Sequence, residues 1–112
     1  MLAAAKSKDL PPRDLVAQLV ARLDPERIYL FGSRAEGRAR VDSDYDLLVV
    51  LPDDTPEERL SLDYAYEAKC GFGIAADIIP CTVAEFETGK DEPGNLCRMA
   101  HQRGILVYDR AA

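Results

Sequence analysis

The chain has 112 residues, of which 47% are hydrophobic and 30% charged, a composition typical of a globular domain. Its formal charge of −6 argues against direct binding to nucleic acid, because such binding depends on a basic surface. The charge is uneven: residues 1–40 contain eight Lys and Arg against five Asp and Glu, and the remainder contains six against fifteen, so a cation or a basic partner would be drawn to the second part.

The sequence contains no segment long and apolar enough to span a membrane, and its first residues lack the apolar centre of a signal peptide. We therefore expect a cytoplasmic protein without membrane contact. Cys70, Cys81 and Cys97 have no metal-binding spacing and are predicted to be core or half-buried thiols. Because no linker or repeat interrupts the chain, residues 1–112 are predicted to form one domain.

The first part of the chain predicts a helix followed by two strands. An amphipathic helix is indicated by apolar residues at helical spacing, namely Leu15, Val16, Leu19, Val20 and Leu23. Asp24 and Pro25 should end it. Residues 27–31 predict a short buried strand, and residues 45–51 predict a second strand that lies centrally in a sheet because both of its faces are apolar. Residues 33–40 should form a loop or one helical turn.

A second helix is predicted after the central strand. Thr55 has the features of an N-cap, Pro56 would occupy the first helical position, and Glu58 would complete a capping box. The helix is expected to continue to about Cys70, where glycines follow. Residues 74–80 then predict a third strand.

The last part of the chain predicts two short helices and an extended segment. The first helix would be capped by Thr82, and the second would span much of residues 94–104. Residues 105–109 could form a last strand or an extended tail. This order of elements predicts an α/β (α+β) fold, with a small mixed sheet covered by helices.

Three acidic residues are associated with the predicted strands. Asp44 and Asp46 are two residues apart and should project to one face, and Asp77 interrupts an otherwise apolar strand. If the two strands are neighbours, the three carboxylates meet, which requires either strongly raised pKa values or a cation. A hard divalent cation such as Mg²⁺ would relieve their repulsion. The alternative is that Asp42, Asp44 and Asp46 are solvated loop residues, which leaves Asp77 unexplained.

A potential phosphate-binding turn precedes these acids. Gly32 and Ser33 directly follow a strand, so that their backbone N–H groups and the serine hydroxyl could contact phosphate. Arg34 could neutralise phosphate charge, although a solvent-facing role is the more common one for such a residue. Ser43 could be a turn or cap residue, or a ligand. His101 is predicted to be a surface or interface residue of a helix.

Gly32-Ser33, ten intervening residues and then Asp44-Tyr45-Asp46 resemble the GSx10DxD signature of the DNA polymerase β-like nucleotidyltransferase superfamily. The segment "LFGSRAEGRARVDSDYDLLVV" is similar in sequence to the minimal nucleotidyltransferases of that superfamily, which are often encoded beside a HEPN-domain protein. Asp77 matches the third carboxylate of that family by its place on a strand.

The resemblance implies a site, a reaction and a partner. Asp44 and Asp46 would hold two Mg²⁺ ions, Gly32 and Ser33 would hold the triphosphate of ATP, and Asp77 would help bind the metal beside the attacking hydroxyl. AMP would be transferred to a tyrosine of a HEPN-domain RNase toxin, with this chain acting as the antitoxin. The oligomeric state, including a homo-oligomer, stays open.

Two other functions are compatible with the same residues. The chain could neutralise a partner by occlusion, with the acids as a relic of a catalytic ancestor. It could also transfer a nucleotidyl group to a small molecule such as an aminoglycoside, although we expect these 112 residues to leave no room for an acceptor-binding domain.

Overall fold

The computed structural model describes residues 9–112, which form helices and strands. In chain order they are α1 (Arg13–Leu23), β1 (Arg27–Phe31), β2 (Tyr45–Leu51), a 3₁₀ turn (Glu57–Leu60), α2 (Leu62–Ala68), β3 (Ala76–Thr82), α3 (Val83–Gly89), α4 (Leu96–Arg103) and β4 (Ile105–Asp109). None of the helices in this part of the chain combines the length and the hydropathy that a membrane crossing requires.

The four strands form one mixed sheet in the order β3-β2-β1-β4. β1 is antiparallel to both β2 and β4, whereas β2 and β3 are parallel. The expected α/β fold with a small mixed sheet is therefore confirmed, and residues 105–109 form a strand rather than a tail. β2 lies inside the sheet as predicted, and its last five residues are buried.

Helices cover both faces of the sheet, since the two sides of each strand contribute to different apolar clusters. The cluster beneath α1 and α2 is built from Leu15, Leu19, Leu23, Ile28, Leu30, Ala35, Leu47, Val49, Leu51, Ala65, Ala68, Ala76 and Ile78. The cluster beneath α3 and α4 is built from Tyr29, Phe31, Leu48, Val50, Cys81, Phe86, Cys97 and Ala100. The residues of β2 alternate between the two clusters, as the two-residue period of a strand requires.

The predicted helix from Thr55 to about Cys70 is wrong in its start and its continuity. The N–H of Thr55 donates to Pro52 O at 3.0 Å, so Thr55 belongs to a turn rather than to a helix cap. A 3₁₀ turn follows, and Ser61 is extended (φ −77°, ψ 152°). The hydroxyl of Ser61 accepts the N–H of Tyr64 at 3.1 Å, so this residue caps α2, which is only seven residues long.

The third strand begins at Ala76 instead of residue 74 and continues to Thr82. Thr82 then caps α3 as predicted, through a reciprocal capping box with Glu85. Cys81 and Cys97 are buried as expected, and burial raises the pKa of each thiol. Cys70 is exposed, so the prediction of a core or half-buried thiol is wrong for that residue.

Candidate active site

The candidate site lies at one end of the sheet, where β1 ends and β2 and β3 begin. Phe31, the last residue of β1, is paired with Asp46 of β2, and Asp46 is in turn paired with Asp77 of β3. Because β2 and β3 are parallel and in this register, the two aspartates are direct neighbours on the sheet. They lie on the face that α3 and α4 cover.

The carboxylates of Asp44, Asp46 and Asp77 interact electrostatically. Burial, and then the negative charges of Asp77 and Asp44, raise the pKa of Asp46 above its ordinary value of 3.8, and a hydrogen bond with Asp77 acts in the same direction. Asp44 and Asp77 are exposed, whereas Asp46 is half-buried. The structure therefore places Asp44 and Asp77 each near enough to Asp46 for their charges to act on its carboxylate.

The backbone of Gly32 packs directly against the Asp46 side chain. Gly32 has φ +78°, and a Cβ at this position would overlap Asp46 Oδ2 more closely than real Cβ contacts allow. A glycine is therefore required for two reasons: its backbone conformation is unfavourable for other residues, and the carboxylate occupies the space of a side chain. The site is built around this close approach.

Gly32 and Ser33 begin a helical turn, as the sequence allowed. Gly32 O accepts the N–H of Glu36 at 3.1 Å, and Ser33 O accepts the N–H of Arg38 at 2.9 Å. The N–H groups at the start of such a turn have no acceptor within the turn itself, which is the arrangement that phosphate groups use. This turn is connected directly to the strand end that carries the acids.

Arg34 is buried, so a solvent-facing role for this residue is wrong. Only 6% of its surface is exposed, and its guanidinium donates to Ser43 O through Nε at 2.9 Å and through Nη2 at 2.7 Å. Nη2 also lies 3.3 Å from Val41 O, and Nη1 lies 3.8 Å from Asp9 Oδ1. The guanidinium stacks 4.0 Å above the ring centre of Tyr45. Arg34 therefore binds the loop before Asp44.

The other two minor residues behave as the sequence suggested. Ser43 is a turn residue, because its hydroxyl accepts the backbone N–H of Arg40 at 2.8 Å. His101 is exposed on α4, where its ring meets Phe86 edge-on at 5.9 Å. Neither observation gives them a chemical role.

The acidic residues fit a magnesium ion better than a closed structural metal site. Among residues 9–112, no set of three acidic, histidine or cysteine side chains is arranged to hold a metal ion by itself. Mg²⁺ is usually held by one or two carboxylates together with water and substrate phosphates. Oxygen ligands on Asp46 and its neighbours suit this ion, and a cation would offset the repulsion that raises the pKa of Asp46.

Residues 13–107 match the nucleotidyltransferase domain family. The chain belongs to this family. As a nucleotidyltransferase domain, it carries the Gly-Ser turn and the acids within the matched residues. No curated protein matches the sequence.

Two solved structures share the fold of this nucleotidyltransferase domain. One is a crystal structure from Sulfolobus solfataricus with a provisional nucleotidyltransferase assignment; it has 18% identity and a TM-score of 0.51, and the match covers 90% of this chain and 92% of that one. The other is a toxin-antitoxin crystal structure with AMP-PNP; it has 19% identity and a TM-score of 0.58, and the match covers 86% of this chain and 72% of that one. At these identities the likeness concerns the fold.

Sequence reasoning missed the role of Asp9 and Arg34. Their ion pair joins residues that are far apart in the chain, and both side chains are 7% exposed. A lone Asp in a polar segment and a lone Arg in a loop give no signal of such a pair. The sequence likewise gives no signal that Tyr45 is the aromatic partner of Arg34.

Proposed function

We propose that this nucleotidyltransferase domain transfers AMP from ATP to a hydroxyl group of a partner protein. The observation that carries the proposal is the register of β2 and β3, which makes Asp46 and Asp77 neighbours beside the backbone of Gly32. Asp44 and Asp46 would hold two Mg²⁺ ions, with Asp77 as a further ligand. Gly32 and Ser33 would bind the triphosphate. Residues 1–112 would form one catalytic domain.

Each of these residues has a defined part in the reaction. The N–H groups of Gly32 and Ser33 would donate to phosphate oxygens and orient the chain of phosphates. The Asp77 carboxylate would accept the proton of the attacking hydroxyl, whose oxygen forms a bond to the α-phosphorus while pyrophosphate leaves. Divalent cations bound at these acids would stabilise the charge on the attacking and leaving oxygens.

A protein acceptor is supported by the openness of the site. Asp44 and Asp77 are exposed, so a side chain on a second protein can approach them. The toxin-antitoxin structure with the same fold contains AMP-PNP, an ATP analogue, which supports both the nucleotide and the type of partner. We therefore propose that the acceptor is a tyrosine of a HEPN-domain RNase toxin in the cytoplasm, and that this chain acts as the antitoxin.

Transfer of radiolabel from [α-³²P]ATP to the partner tests this function. The unchanged chain should label the partner in the presence of Mg²⁺, and EDTA should abolish labelling. Asp44→Asn and Asp46→Asn should each reduce the rate by at least about a hundredfold, because charge stabilisation at the phosphorus is lost. Asp42→Asn is the matched control, since Asp42 is an exposed aspartate of the same loop and is not among the charges that raise the pKa of Asp46.

Labelling that persists in the Asp44→Asn/Asp46→Asn variant would contradict the proposed function. If that variant still neutralises the toxin without labelling it, the chain acts by occlusion. Mass spectrometry of the labelled partner would identify the modified residue, and a site other than tyrosine would correct the acceptor.

A further inference from the structure

Asp9 and Arg34 are the buried charged residues of the part of the chain that the structure describes. Removing a charge from water is costly unless partners compensate for it, and an apolar pair of similar volume is often at least as stable. A buried ion pair is therefore weak evidence for a purely stabilising role. The contacts of Arg34 show what else it holds.

The guanidinium of Arg34 connects three separate segments. Nη1 faces Asp9 before α1 at 3.8 Å, and Arg34 itself lies in the turn after β1. On its other side, Nε and Nη2 donate to Ser43 O at 2.9 and 2.7 Å, and the group stacks on Tyr45. A planar guanidinium that donates two hydrogen bonds to one carbonyl oxygen fixes the direction of that carbonyl.

That carbonyl belongs to the peptide group that leads into Asp44. Asp46 and Asp77 are held by the ladder between β2 and β3, but Asp44 precedes Tyr45, the first residue of β2. The loop before it is open to solvent, and Val41 is 98% exposed. On the C-terminal side of Asp44, the N–H of Tyr45 donates to Ala75 O at 3.0 Å. On the N-terminal side, the peptide is constrained by the hydrogen bonds from Arg34 to Ser43 O.

We propose that Arg34 is a positioning residue that directs the Asp44 carboxylate toward the cation shared with Asp46. It acts through the backbone of Ser43 and contacts neither the cation nor the phosphates. This inference rests on the proposed function, because it assumes a cation at these acids. It differs from a general stabilising role in one respect: the effect of changing Arg34 must depend on Asp44.

Arg27 provides a matched control for stability. It is half-buried and, like Arg34, has an aromatic contact: its guanidinium lies 4.8 Å from the ring centre of Phe86, and Nη1 donates to Tyr29 OH at 3.1 Å. However, Arg27 pairs with Val50 at the opposite end of the sheet from the acids. Arg27→Gln should therefore lower the melting temperature without affecting cation binding.

Direct titration with Mn²⁺, followed by electron paramagnetic resonance, measures cation binding without any transfer reaction. Arg34→Gln should raise the Mn²⁺ dissociation constant by about tenfold, the range seen when residues that orient metal ligands are removed. Arg34→Lys keeps the charge but loses the paired hydrogen bonds, and should give a smaller increase in the dissociation constant. In the Asp44→Asn background, Arg34→Gln should change the Mn²⁺ dissociation constant by less than about twofold, because both residues act through the contact between Asp44 and the cation.

Each result distinguishes the inference from its alternatives. Unchanged Mn²⁺ binding in Arg34→Gln, or an equal effect in Arg27→Gln, would reject the positioning role alone. An undiminished effect of Arg34→Gln in the Asp44→Asn background would also reject it. Absence of Mn²⁺ binding by the unchanged chain, both alone and in the presence of an unreactive ATP analogue, would instead reject the metal site and the proposed function. If Arg34→Gln does not fold, Arg34→Lys measured with and without Asp44→Asn tests the positioning role instead.

Discussion

At the end of β1, the backbone of Gly32 lies directly against the carboxylate of Asp46. This contact joins the turn proposed to bind phosphate to the acids proposed to bind metal. It leaves no space for a side chain, and it requires a backbone conformation with φ +78°. Gly32 and Asp46 therefore depend on each other, and substitutions at either position test this dependence.

Gly32→Ala should impair both stability and transfer. The left-handed backbone costs a residue with a Cβ about 1–2 kcal/mol, and the new methyl group would displace the Asp46 carboxylate. A displacement of this size should reduce the transfer rate on the order of a hundredfold. Gly94→Ala is the matched control, because Gly94 has φ +83° but open space around its Cα. Urea unfolding and radiolabel transfer would check both variants; equal transfer by the two would contradict the prediction.

Asp46→Asn should stabilise the metal-free protein, because it removes a charge that burial and the neighbouring carboxylates disfavour. The gain should not exceed about 1 kcal/mol, because solvent screens a half-buried charge. The pKa of Asp46 is raised in the folded state, so between 3.8 and the raised value the folded protein binds its proton more tightly than the unfolded chain. The free energy of unfolding therefore falls as pH rises through that window, and Asp46→Asn should weaken this fall. Urea unfolding at several pH values in EDTA would measure it; a destabilised variant at neutral pH would contradict it.

At the scale of elements, the short helix α2 depends on its cap. Ser61, rather than Thr55, accepts the free N–H of the first turn. Ser61→Ala should lower the free energy of unfolding by about 1 kcal/mol. Thr55→Ala should stay within about 0.5 kcal/mol of the unchanged chain, because Thr55 lies in a turn outside the helix. Urea unfolding of both variants measures the difference, and a larger effect of Thr55→Ala would show that the helix starts earlier in solution.

The elements were predictable wherever one local pattern dominated. The apolar run of β2, the helical spacing of α1 and the cap at Thr82 have single interpretations. For the segment after β2 the sequence predicts Thr55 as the cap, whereas in the structure Ser61 caps α2. The choice between them depends on the turn that Thr55 forms with Pro52, a local competition that residue preferences alone do not decide.

At the scale of the whole molecule, ligand binding should stabilise the fold. Mg²⁺ with α,β-methylene-ATP, in which the bond proposed to break cannot be cleaved, binds only the folded state. At a concentration of about a hundred times its dissociation constant, this ligand should add about 2.7 kcal/mol to the free energy of unfolding and raise the melting temperature on the order of 10 °C. The Asp44→Asn/Asp46→Asn variant should show little shift. An equal shift in that variant would place nucleotide binding elsewhere on the molecule.

The candidate site was predictable in its parts but not in its assembly. The spacing from Gly32-Ser33 to Asp44 and Asp46 is visible in the sequence, and Asp77 stands out in an apolar strand. The contribution of Arg34 was not visible, because its partners come from the segment before α1 and from the loop before β2. Only folding brings these segments together.

The sequence by itself determined which segments become strands, because apolar runs and the two-residue period of a strand are local properties. Tertiary structure decided that β3 lies parallel to β2 with Asp77 level with Asp46. Strand order and register depend on how the connection through α2 packs across the sheet, and a slip of one residue would turn Asp77 to the other face. The meeting of these acids is therefore a property of the packed sheet.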